Sequence, residues 1–118
     1  MAINAARLQS VLGIHFDSIL NELSLPAGIY EKILKISIRT TEESFPQFSL
    51  ALMNQNRDAI AEIVHDYKGV FANLRITPLS LIGGQMMRLV SSGAPLSELS
   101  DLLDTFKEKF AALKTAIE

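Results

Sequence analysis

Leu96, Leu99, Leu103, Phe106, Phe110, Leu113 and Ile117 follow one another at steps of three and four residues. A β-strand sends alternate side chains to opposite faces, so only a helix places this whole set on one face. A seam of this kind belongs to a helix packed nearly antiparallel to a neighbour. Similar spacing recurs along the chain, and proline and glycine fall at helix-length intervals. No stretch sustains an alternation of period two. The expected fold class is therefore all-α.

The whole chain, 1–118, reads as a single domain. Leu8, Leu12, Phe16, Ile19 and Leu23 form one stripe, closed by Pro26 and Gly28, and predict an N-terminal helix within 1–25. Short connections across the rest predict an antiparallel up-down four-helix bundle over 27–118, with the N-terminal helix packed across an end or side. The first bundle helix is expected from Ile29 to Met53. It carries two apolar stripes, Ile29, Ile33, Ile36 and Leu34, Ile38, Phe45, Phe48, Leu52, wide enough to meet several neighbours. Pro46 removes a backbone donor and clashes one turn back, which predicts a kink or a break near Ser44.

Asn54-Gln55-Asn56 reads as a turn, with Asn56 as N-cap of the next helix. That helix is expected to bury Ile60, Ile63, Val64, Tyr67, Phe71 and Leu74. Thr77 then reads as an N-cap with Pro78 at the first helical position. Leu79, Ile82, Met86, Leu89 and Val90 form the following stripe, closed by Gly93. Met86-Met87 and Phe45 with Phe48 are read as packing. Gly83-Gly84 is read as a site of close helix approach rather than phosphate binding.

With 118 residues, 48% of them hydrophobic, the chain is long enough to bury a core. A net charge of -2 gives no basic patch for nucleic acid. No apolar run reaches the roughly 20 residues needed to span a bilayer, and the first residues do not resemble a signal peptide. With no cysteine there are no disulfides, thiolate metal sites or thiol nucleophiles. The expectation is a cytoplasmic monomer that binds neither nucleic acid nor membrane.

One segment resists a purely structural reading. Val64-His65-Asp66-Tyr67-Lys68-Gly69 places a glycine inside a helix, at a cost of about 1 kcal/mol relative to alanine. At about 100 degrees per residue, His65 lies about 140 degrees from the centre of the apolar stripe, on the solvent side. Its neighbours on that surface are Ala61, Glu62, Lys68, Gly69 and Ala72. The imidazole thus stands in a cleared patch beside a flexible cation. A neutral imidazole is a competent nucleophile near neutral pH, and Lys68 can reach a phosphoryl group placed on it. Glu62 either accepts the second ring N–H or stands as a solvated charge, and Asp66 at i+1 is not expected to face the ring. Spacing alone leaves His65 open to two readings, a reacting group or an ordinary surface histidine. His15 is read as a boundary residue of the first helix's core face. No metal site is expected.

The segment from Val64 to Gly69, continuing through Ala72-Asn73-Leu74, resembles the signature of histidine-containing phosphotransfer (HPt) domains. These carry a His-x-x-Lys-Gly core followed by a small residue and then an apolar one. The helix layout is similar too, over about 25–118. The resemblance implies that His65 is the phosphoryl acceptor, that Lys68 steadies the phosphate and that Gly69 gives it room. Ala61, Glu62 and Ala72 would belong to the docking surface. Val70 stands where the family has a small residue, Arg75 where a glycine often follows, Tyr67 for a common leucine and Asp66 for a common Thr or Ser. These departures bear on partner preference and local packing.

The resemblance further implies a phosphorelay intermediate of two-component signalling. It would exchange a phosphoryl group with aspartates of response-regulator receiver domains, or take it from a sensor histidine kinase. It would need no cofactor of its own, since Mg²⁺ is expected on the receiver, and would have no autonomous kinase activity. Two other classes remain at this stage. For a non-catalytic helical adaptor, His65 substitutions would be silent while apolar residues on an exposed face matter, and a buried, hydrogen-bonded His65 would favour it. A phosphoacceptor dimerisation module would form an intermolecular bundle.

Overall fold

The computed structural model describes residues 3–117. All regular elements among them are helices: α1 (Ala5–Leu12), α2 (Phe16–Leu23), α3 (Ala27–Met53), α4 (Arg57–Asn73), α5 (Thr77–Ser92) and α6 (Leu96–Ala116). The all-α expectation holds. α4 packs against α3 and α5, α6 packs against α5 and α3, and α1 lies on α6. Tyr30, Leu34, Phe48, Ile60, Phe71 and Leu113 are among the side chains wholly withdrawn from solvent in one core. Its centre is aromatic. The Tyr67 and Phe106 rings stack with centroids 4.7 Å apart, and Phe45 meets Phe110 edge-on at 5.1 Å. Such pairs add to the free energy of area burial.

The N-terminal stretch is two helices, not one. Gly13 takes a left-handed φ of 67° and its N–H bonds back to Gln9, while Ile14 N–H reaches Leu8. This is how a glycine closes a helix. Leu12 and Phe16 are four residues apart, so the stripe runs on in sequence although the backbone turns. His15 is exposed at the N-cap of α2, not at a core boundary.

α3 runs unbroken through Pro46, so of the kink or break expected near Ser44 the break does not occur. Pro46 is exposed, so its ring projects to the solvent side. The Ser44 hydroxyl donates to the Thr41 carbonyl at 2.6 Å, within the turn that precedes the proline. Only one of the two expected apolar stripes is core. Ile29, Ile33 and Ile36 are 49%, 41% and 55% exposed. α3 turns Tyr30, Leu34, Ile38 and Phe48 inward instead, and the Tyr30 hydroxyl donates to the Leu74 carbonyl at 2.7 Å.

Asn56 caps α4 as expected, its Oδ1 accepting from Ala59 N–H at 3.1 Å. Gly93 closes α5 with φ of 72°. Thr77 is not the cap of α5. Ile76 takes that position without a side-chain bond, and Thr77 is the first helical residue. Gly83 is buried where α5 meets α4, so close approach of two helices accounts for it. Gly84 has ordinary space around it.

Candidate functional site

The site follows from how α4 is held. Ile60, Val64, Tyr67 and Phe71 are its buried residues, spaced so that one face of the helix is committed to the core. Tyr67 is the firmest of these anchors. Its ring stacks on Phe106 and its hydroxyl shares a short hydrogen bond with that of Ser44 on α3. Burial pushes the Tyr67 hydroxyl up to about 12, so it stays protonated and remains available to that bond. With Tyr67 fixed inward, His65, two residues earlier, must face out.

His65 and Lys68 are both exposed, as the sequence predicts. They lie on one face of α4 at i and i+3. Ala61 and Gly69 are half-buried and Ala72 is exposed, so the floor around the imidazole is built of small residues. A Cβ on Gly69 would meet nothing within 4 Å, which shows that helix packing does not require this glycine. The space above it opens to solvent beside His65.

A shallow hollow at the imidazole is lined by Ala61, Glu62, His65 and Asp66 from α4 and by Met87 from α5. Two of these were not foreseen. Asp66 reaches the rim although it is adjacent to His65 in sequence. Met87, read as packing, is half-buried against the edge of the core, and it also lines the hollow. Only the packing of α5 on α4 could reveal it. Among the described residues no hydrogen bond joins Glu62 to His65, and no ion pair engages Lys68.

The departures at Val70 and Arg75 have structural reasons. Val70 lines a groove between α3 and α4, with Ile36, Thr40, Ser44 and Ile63, and Asp66 borders that groove as well as the hollow. Arg75 sits in the turn after α4 with φ of 61°, a left-handed conformation that suits glycine. Its side chain offsets the strain. Nε donates to the Glu22 carboxylate at 2.7 Å and Nη1 to the Ala72 carbonyl at 2.9 Å. This ties α2 to the end of the His65 helix.

A family model described as Hpt domain matches residues 32–116. The chain belongs to the Hpt domain family. No curated protein and no solved structure matches it. The Hpt match begins inside α3 and ends at the last residue of α6, so His65, Lys68 and Gly69 fall within it while α1 and α2 fall outside. Membership points to phosphotransfer in two-component signalling, where Hpt domains meet receiver domains and kinases. Among the described residues no helix of this Hpt chain is long and apolar enough to cross a membrane.

Proposed function

We propose that the chain is a phosphorelay intermediate that carries a phosphoryl group on His65. The observation that carries this reading is an exposed imidazole with Lys68 one turn further on and open space above Gly69. A neutral ring nitrogen of His65 attacks the phosphorus of a receiver's aspartyl phosphate. The P–N bond forms, the P–O bond to aspartate breaks, and the aspartate leaves as its carboxylate. The proton on the other ring nitrogen stays in place. Return to a second receiver reverses each step.

Lys68 meets the added negative charge, and Gly69 leaves room for the phosphoryl group. Ala61, Glu62 and Ala72 form the surface on which the receiver rests. The receiver supplies Mg²⁺, and the chain supplies a nucleophile on a rigid helix, with no cofactor and no kinase activity of its own. In this reading the four long helices run as an antiparallel up-down bundle, and the protein works as a cytoplasmic monomer. A buried, hydrogen-bonded His65 would have favoured the adaptor alternative, and His65 is exposed.

The chemistry of the bond tests the reading. Label acquired from a charged receiver should survive base and be lost in acid, as an N-linked phosphohistidine requires. An acid-stable label would place the phosphoryl group on a hydroxyl or rule out histidine as its carrier.

A further inference from the structure

Two glycines border Lys68. The open space at Gly69 faces solvent. Gly83, on α5, is buried where that helix meets α4 at Lys68. A Cβ at Gly83 would stand 3.0 Å from both Lys68 Cα and Lys68 N, and 3.2 Å from Lys68 Cβ. Two of those three atoms are backbone and cannot rotate away, so with a methyl group there α4 and α5 would have to give by a few tenths of an ångström at Lys68. Glycine is unfavourable in a helix interior, and Gly83 does not use the left-handed conformation that would otherwise justify it. What it provides is contact between α5 and the α4 backbone at Lys68.

We propose that Gly83 is a positioning residue for phosphotransfer. By letting α5 bear on α4 at Lys68, it sets where the Lys68 ammonium stands relative to a phosphoryl group on His65. The inference rests on the phosphotransfer reading above. Gly83 touches neither the phosphoryl group nor the partner and acts through Lys68 alone. A small displacement of a group that must meet a reacting atom is enough to lower a rate.

The test measures transfer from a receiver domain charged with acetyl phosphate, chosen as one that labels the wild-type chain. Gly83→Ala should lower the transfer rate constant roughly tenfold. Gly84→Ala should transfer at the wild-type rate, since a Cβ there meets only the flexible Arg88 Nη1, at 3.9 Å. In a Lys68→Met background, Gly83→Ala should cause no further loss. Full-rate transfer by Gly83→Ala overturns the proposal, and so does an equal loss with and without Lys68, which would mark a merely structural role. A wild-type chain that takes no label from any receiver sinks the phosphotransfer reading and this inference with it.

If Gly83→Ala does not fold, the unaltered chain decides. Phosphoramidate can charge His65 directly, releasing ammonia as the phosphoryl group moves to the ring nitrogen. The Gly83 amide resonance should then shift in the wild type and stay still in Lys68→Met. A Gly83 amide that does not respond, or responds equally in both, overturns the proposal.

Discussion

At the scale of single residues, Tyr67 and Lys68 have separable jobs. Tyr67 holds α4 in rotation, and under the proposed function Lys68 would answer the phosphoryl charge. Lys68→Met should therefore slow transfer to His65 by roughly ten- to a hundredfold, the equivalent of losing a charged hydrogen bond of about 1.5–3 kcal/mol, with little change in stability. Tyr67→Phe should do the reverse. It removes the bond to Ser44, whose hydroxyl keeps the Thr41 carbonyl, and should lower stability by about 1 kcal/mol in a urea titration. It should also change the alkaline limb of stability. The Tyr67 hydroxyl has an ordinary value of 10.0 and is raised to about 12 by burial in the fold. Between those values the unfolded chain has lost the proton and the folded chain still holds it. Stability from this group is complete below pH 10.0 and falls as pH rises towards about 12. Wild type should lose stability more steeply than Tyr67→Phe across that window. Parallel curves would contradict the buried, protonated hydroxyl.

At the scale of elements, the turn after α4 and the two faces of α3 carry sharp expectations. Arg75→Gly and Arg75→Ala both lose the bond to Glu22, but only glycine relieves the left-handed backbone. The glycine variant should be more stable than the alanine variant by about 1 kcal/mol. On α3, Leu34→Ala should cost about 2–5 kcal/mol, as a fully buried side chain does, while Ile33→Ser should stay within about 0.5 kcal/mol of wild type. Equal costs would put Ile33 back in the core. That contrast also marks where the sequence was legible. α4, α5 and α6 could be read because their apolar periods are single and their ends carry Asn56, Gly93 and similar signals. α3 could not be resolved, because apolar residues are common on surfaces and Ile29, Ile33 and Ile36 fit a helical period as well as Leu34 and Ile38 do. Gly13 was hidden by a stripe that continues in register across the turn. The outward placement of His65 and Lys68 was readable from one helix wheel. Met87 and the α4 contact of Gly83 were not, because they depend on how a second helix seats against the first.

At the scale of the whole molecule, α3 to α6 pack around one core. α1 and α2 brace it from outside the Hpt match. The Asn4 N–H bonds to the Ala116 carbonyl at 2.7 Å, joining the start of α1 to the end of α6, and Glu22 joins α2 to the turn below His65. Under the proposed function the chain would need no moving part: it would offer His65 as a nucleophile with the space around it left clear, and the partner would close the site. His65→Gln should consequently remove phosphotransfer without disturbing the fold, since an exposed side chain supports no packing. The direct measurement is labelled phosphoryl transfer from a panel of charged receiver domains to wild type and to His65→Gln, with circular dichroism melts of both. The account predicts label on the wild type from at least one receiver, none on His65→Gln, and superimposable melts. A folded His65→Gln chain that takes up label as the wild type does would contradict it.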